Sequence, residues 1–438
     1  MASLISPLPP LHPLSSTPRD SPLCATRPLR LQFARCRQSQ RVVRSSHGER
    51  PAEASGRQGE SQQRAFAAAG TAALIGGDPQ AAADAAAAAA RAGDSALSGL
   101  DSADPAADSA RLPAGVSADL SAILSSQRRW TWRGASINYC DLPPRAGGGA
   151  GERGEGAWWG REDAPAVVLV HGFGASIGHW RRTAPAVAAA GQRVFAVDLL
   201  GLGASEKPSN IEYTIDTWAE MLQAFVSEVV RCRVVLVGNS IGSLVALAAA
   251  AALPEEVVAG VVLVNCAGGL NNKAIQDDWR IRLALPVFLL IDCLLSFPPL
   301  ATAIFNRVKT RDNVASVLRA VYCNHEAVDD ELVQLICAPA DDPGALQVFI
   351  AVLTGPPGPR PEQLMPRIAA PLLLLWGEQD PFTPLDGPVG RFFSLLPQQR
   401  PRTTLVTLPH CGHCPHDDQP LAVHQALLPW LAQLGGEE

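Results

Sequence analysis

From Arg128 to Leu434 short apolar runs alternate with longer stretches whose apolar residues recur at helical spacing. A leading pair of strands is predicted over Arg128–Arg133 and Ala135–Asp141, with Gly134 in the turn. The alternation then sets in: strand Ala166–Val170, helix Ile177–Ala190, strand Arg193–Val197, helix Thr217–Val230, strand Val234–Val237, helix Ile241–Ala252 and strand Val261–Asn265. Strands alternating with helices predict an α/β fold, a mostly parallel sheet with helices on both faces.

After Cys266 the pattern changes. Residues 267–360 read as helical throughout, and the alternation resumes with strand Leu372–Trp376, a helix near Val389–Leu396, strand Thr403–Leu408 and helix Leu421–Leu434. The expected organisation is a core of residues 116–266 and 361–438, with residues 267–360 as a helical cap inserted before the strand that leads to Asp380. Within that cap, Leu283–Leu295 is very apolar but is interrupted by Pro286 and Asp292. At about 13 residues it is shorter than the roughly 20 a membrane-spanning helix needs. It reads either as cap core or as pocket lining for a long or bulky apolar group, and both can hold at once.

Composition adds three points. Residues 1–48 are rich in Ser, Pro, Leu and Arg with Asp20 as their one acid, the composition of a transit peptide, and the Met-Ala-Ser start favours a chloroplast. Residues 49–115 are low in large apolar side chains, with an alanine run over Ala82–Ala90, and are expected to be a disordered linker. Gly147–Gly160 is a glycine-rich insertion holding Trp158 and Trp159, to which the pattern gives no role. The net charge of −6, without a basic stripe, argues against a nucleic-acid partner. Ten cysteines are scattered, several within apolar runs, as buried free thiols are. Cys411 and Cys414, with His410 and His416 nearby, have redox or zinc-binding spacing. Too little chain follows them to build the rest of a thioredoxin-like fold. Acyl transfer to a serine needs neither a metal nor an organic cofactor, and none is expected.

The candidate chemistry lies at strand ends. Gly238-Asn239-Ser240-Ile241-Gly242 joins a predicted strand to a predicted helix, the context of a nucleophile elbow, where glycines let a serine sit on a strained turn. Asp380 follows the strand Leu372–Trp376, and His413 follows the strand ending at Leu408. Serine, acid and histidine in this order, each just past a strand, suit a nucleophile, an orienting carboxylate and a general base. The strand Ala166–Val170 runs into His171-Gly172-Phe173-Gly174. Backbone N–H groups of Phe173 and Ile241 are therefore the expected oxyanion hole. Asp198-Leu-Leu-Gly201-Leu-Gly203 has too little of a dinucleotide fingerprint and reads as a structural turn.

Over roughly residues 128–434 these motifs resemble the α/β-hydrolase superfamily. Several strings resemble one plastid branch more closely, that of chlorophyll dephytylases with pheophytinases as neighbours: His171-Gly-Phe-Gly-Ala-Ser-Ile-Gly-His179-Trp180, Asn265-Cys-Ala-Gly-Gly269, Leu353-Thr-Gly-Pro-Pro-Gly358, Trp376-Gly-Glu-Gln-Asp380 and Gly412-His-Cys-Pro-His-Asp417. The resemblance implies hydrolysis of the phytyl ester of chlorophyll, giving chlorophyllide and phytol, with Ser240 as nucleophile, His413 as base and Asp380 as orienting acid; a pheophytinase is the alternative. The apolar cap is separately expected to make peripheral contact with thylakoid membranes. General lipid esterases and carbon–carbon hydrolases share the scaffold, as do non-catalytic receptors.

Overall fold

Eight strands form one sheet in the order β1-β2-β4-β3-β5-β6-β7-β8. They are β1 (Gln127–Trp132), β2 (Ala135–Leu142), β3 (Ala166–Val170), β4 (Val194–Val197), β5 (Val234–Asn239), β6 (Val258–Val264), β7 (Leu372–Gly377) and β8 (Thr403–Leu408). β1 and β2 pair antiparallel, as do β2 and β4, and every other pairing is parallel. The computed structural model describes residues 116–145, 164–271 and 289–434, all within the unit Ala54–Glu438. The expected transit peptide and linker, the Gly147–Gly160 insertion and residues 283–288 of the apolar stretch lie outside the described residues.

The central strands are apolar at nearly every position because both faces of the sheet are covered. Val168, Val170, Leu236, Leu263, Leu374 and Trp376 enter one core, beneath the helices Ile215–Phe225, Ile241–Ala250 and Pro388–Gln399. Val167, Leu169, Val237, Val262 and Leu373, at the alternate positions, enter the other, beneath Thr183–Ala189 and Pro420–Gln433. All ten residues of Ile241–Ala250 are buried, and its alanines let the helix lie close to the sheet.

Element types follow the sequence pattern, and the boundaries differ for local reasons. The predicted helix Ile177–Ala190 is divided into a 3-10 turn, Ile177–Trp180, and the helix Thr183–Ala189, because Arg181 turns inward between them. The helix predicted from Thr217 begins at Ile215, capped by Thr214, whose hydroxyl accepts the Thr217 N–H. β6 begins at Val258 rather than Val261. A Cβ at Gly260 would press into the Trp430 ring, so this weak strand former is placed by packing.

Between β6 and β7 the described residues form the helices Leu289–Leu295, Pro298–Val308, Arg311–Val321, Asp330–Cys337 and Ala345–Thr354. One apolar cluster of this segment, around Leu318, Tyr322 and Leu332, takes in Cys414. A second, around Leu295, Phe305 and Phe349, packs on Phe173. Both therefore rest on loops at the C-terminal edge of the sheet. Among the described residues, no single helix is long and apolar enough to cross a membrane.

Strand order reverses at β3 and β5. The chain leaves β3 toward β4 on one side and β5 toward β6 on the other. Crevices of this kind, outside the carboxyl ends of parallel strands, are where such sheets bind ligands. His171–Gly174 and Ser240 lie on its two walls.

Candidate active site

Ser240 sits between β5 and the helix Ile241–Ala250 at φ 55° and ψ −121°. A side chain there carries strain of about 1–3 kcal/mol, sustained only where the surroundings over-determine the turn. The two flanking glycines show how. A Cβ on Gly238 would collide with the backbone of Gly242 and Ser243, and one on Gly242 would collide with the carbonyl oxygens of Val170 and His171. Helix and strand can approach this closely only without those side chains. The Ser240 N–H donates to Val264 O at 3.0 Å, and Ser243 Oγ donates to Gly238 O at 2.6 Å, which lock the turn.

The structure brings Asp380 and His413 to this turn. His413 Nε2 lies 2.9 Å from Ser240 Oγ, and its Nδ1 lies 2.8 Å from Asp380 Oδ2. Asp380 is 2% exposed. Burial pushes its carboxyl pKa up, but the adjacent His413 and the hydrogen bonds from His413, Thr383 and Asn265 outweigh burial and hold it below the usual range. An ionised carboxylate only accepts, so Nδ1 carries the imidazole proton and Nε2 is left to accept the Ser240 O–H. The His413 loop is anchored through its backbone: the His413 N–H donates to Val321 O at 2.8 Å, and Asn239 Nδ2 donates to His413 O at 3.0 Å. Hydroxyl, imidazole and carboxylate in this series can generate a nucleophile at the hydroxyl oxygen.

The N–H of Ile241 belongs to the first residue of its helix, where no intrahelical acceptor exists. Phe173 follows Gly172, whose position a Cβ could share with Ser240 and Asn239 only in tight contact, at 3.3 Å. His171, by contrast, is spent on structure. Its Nε2 accepts the Leu199 N–H at 3.1 Å and its Nδ1 lies 2.8 Å from Gly172 O. Burial pushes its pKa down, so it stays neutral. Asp198 likewise builds a turn, accepting from Ile177 N, Asn138 Nδ2 and Ala204 N.

Cys411 and Cys414 are buried free thiols, and burial pushes both pKa values up. Among the described residues no group of His, Cys, Asp and Glu has the arrangement to hold a metal ion.

Four polar residues around the site had no role in the sequence analysis. Asn265 and Thr383 both donate to Asp380 Oδ2. Asn239 ties the elbow to the His413 loop. Arg181, fully buried, binds Asp417 at 2.9 Å, four residues beyond His413, and Asp329 and Glu331 of the β6–β7 segment at 2.7 and 2.9 Å. Asn239 and Asn265 follow apolar runs in the sequence, and nothing local marks Thr383 or Arg181.

The sequence matches the alpha/beta hydrolase family over residues 167–426. Over 315 residues it is 26% identical to the chloroplastic pheophytinase of Arabidopsis thaliana, a match covering 63% of each chain. Over 276 residues it is 27% identical to a 2-hydroxy-6-oxo-6-(2'-aminophenyl)hexa-2,4-dienoic acid hydrolase of Metapseudomonas resinovorans, covering 61% of this chain and 84% of that one. Among solved structures, a bacterial membrane phospholipase A superposes with a TM-score of 0.52 at 24% identity, over 73% of this chain and 88% of its own, a likeness of fold. With the profile match extending over more than half of its length, the chain belongs to the alpha/beta hydrolase family.

Proposed function

We propose that this chain is a serine carboxylic-ester hydrolase that removes the phytyl chain from chlorophyll in the chloroplast, giving chlorophyllide and phytol. The observation that carries the chemistry is the series Ser240 Oγ, His413 and Asp380, joined at 2.9 and 2.8 Å. In this reading His413 takes the Ser240 proton as the hydroxyl oxygen attacks the ester carbonyl. The resulting oxyanion is met by the N–H groups of Phe173 and Ile241, each such donor contributing about 3–4 kcal/mol in comparable sites. His413 then protonates the departing phytol oxygen, and water releases the chlorin acid by the same steps in reverse. Asp380 holds the tautomer.

The pigment substrate and the chloroplast setting are supported by the similarity to pheophytinase. A bulky apolar substrate is supported by the aromatic series that leads away from the site, in which Phe173 stacks on Phe349 at 6.5 Å and Phe349 meets Phe305 at 5.2 Å. Exposed Leu289, Leu290 and Phe297 support contact of the cap, residues 267–360, with the thylakoid surface that holds such a pigment. Pheophytin is the alternative pigment. Carbon–carbon bond hydrolysis is a second reading, favoured by the match over 84% of the dienoic acid hydrolase.

The test is pigment chromatography after incubating the full chain, and a Ser240→Ala control, with chlorophyll a or pheophytin a. Chlorophyllide or pheophorbide formed by the unaltered chain alone supports dephytylation, and the faster pigment identifies the substrate. No phytol from either pigment discards the assignment, and turnover of a dienoate would put the second reading in its place.

A further inference from the structure

Asn265 is the residue immediately after β6, and it is fully buried. Its φ of 44° places it in the left-handed region, which asparagine tolerates better than other side chains do. Both ends of its amide are used. Oδ1 lies 3.0 Å from the N–H of Gly377, the last residue of β7, and Nδ2 lies 2.6 Å from Asp380 Oδ2. The Gly377 N–H can only donate, so it must face the amide oxygen, and the NH2 group is thereby directed at Asp380. The orientation of this amide is thus set by backbone.

The same strand end holds the other parts of the site. Val264 O accepts the Ser240 N–H at 3.0 Å and also Asn239 Nδ2 at 3.3 Å, while the Val264 N–H donates to Ser243 Oγ at 3.0 Å. Gly377 must lack a side chain, because a Cβ would collide with the Gly412 carbonyl beside His413. Val264, the last residue of β6, and Asn265, the residue after it, therefore register the elbow, the acid and the histidine loop against one another. Asp380 Oδ2, the oxygen facing His413 Nδ1, also takes the Asn265 amide and the Thr383 hydroxyl, while Oδ1 takes the Phe382 N–H at 2.7 Å.

We propose that Asn265 is a positioning residue for catalysis: it holds Asp380 as an acceptor-only carboxylate aimed at His413, and so sets the readiness of Ser240 to attack. This rests on the Ser240–His413–Asp380 reading and extends it by one residue. Removing the amide leaves Asp380 with one donor fewer in a water-poor site. Replacing it by a carboxylate sets two acceptors against each other, and such a pair accommodates its charge by sharing a proton.

The experiment follows the rate at which a fluorophosphonate probe labels Ser240 in the full chain, a readout that needs no knowledge of the natural ester. Labelling of the unaltered chain and none of Ser240→Ala establishes the nucleophile; absence of labelling in the unaltered chain overturns that reading, and this proposal with it. Given labelling, Asn265→Gly deletes the amide without straining the backbone, because glycine accepts the left-handed region. It is expected to slow labelling by roughly tenfold or more. Asn265→Asp is the second variant, measured between about pH 5 and pH 9. The other titratable groups near Asp380 are His413 and the thiols of Cys323, Cys411 and Cys414. Burial lifts all three thiols, Cys323 to about 11, out of that window. The rate ratio of Asn265→Asp to the unaltered chain is expected to be highest in acid, where the shared proton restores a donor, and to fall as pH rises. Asn265→Gly labelled at the unaltered rate, or a ratio for Asn265→Asp that is flat with pH, overturns the proposal.

Discussion

Replacing Arg181 by Met tests how the β6–β7 segment is tied to the His413 loop. The guanidinium is fully buried and faces three carboxylates: Asp417, also fully buried, Glu331 at 15% exposure and Asp329 at 35%. Hydrogen bonds donated to these carboxylates, Asp417 foremost, outweigh burial and raise the Arg181 pKa, so its charge is permanent. Without it, Asp329 and Glu331 can turn to water and contribute little. Asp417 cannot, and it keeps only the Tyr322 hydroxyl, at 3.2 Å. Stranding one buried charge costs about 3–5 kcal/mol. For a fold of this size that corresponds to a Tm lowered by roughly 5–9 °C. The assay is thermal and urea unfolding at pH 7 of the unaltered chain, Arg181→Met, Asp417→Asn and the double variant. The double variant should be more stable than Arg181→Met alone, with a coupling of about 2 kcal/mol, because the stranded charge is gone. A loss below about 1 kcal/mol for Arg181→Met, or strict additivity in the double variant, would refute the reasoning.

Acid should destabilise the fold through its buried histidines. Burial, the largest influence, lowers the His179 pKa to about 4, from 6.5 when unfolded. Its contribution is complete above about pH 6.5 and is lost as pH falls toward 4, a change of about 3 kcal/mol readable as a falling urea midpoint. His416, whose pKa burial also lowers, adds with the same sign. Gly242→Ala drives a methyl group into the Val170 and His171 carbonyls; it should cost at least about 1–3 kcal/mol in urea unfolding and abolish fluorophosphonate labelling. Phe349→Leu removes one ring from the aromatic series. It should lower kcat/KM for a phytyl ester by about two- to tenfold and leave an acetate ester unchanged, and an equal loss on both would separate Phe349 from chain recognition.

Much of the site was legible because its signals are local. The glycines of Gly238-x-Ser240-x-Gly242 are required by contacts with the next few residues and with one neighbouring strand. Asp380 and His413 could be read because each ends an apolar run, and the alternating pattern had already placed those runs in a parallel sheet. What was missed is polar and long-range. Nothing near Asn265 in the chain points to Asp380, 115 positions away. Nothing near Arg181 points to Asp417, 236 positions away. Such pairs exist only once the strand order has set β6 beside β7 and the His413 loop beside the turn after β3.

The sequence by itself thus determined the element types, the α/β class, and the residue types delivered to the sheet's carboxyl edge, because hydrophobic periodicity and glycine sterics act over a few residues. The tertiary structure decided the distances between those residues, which imidazole nitrogen faces the serine, which way the Asn265 amide points, and that Arg181 turns inward to three acids. Those outcomes depend on buried polar groups finding partners. Their partners are chosen by sheet order and by the packing of the β6–β7 segment, which no local pattern encodes.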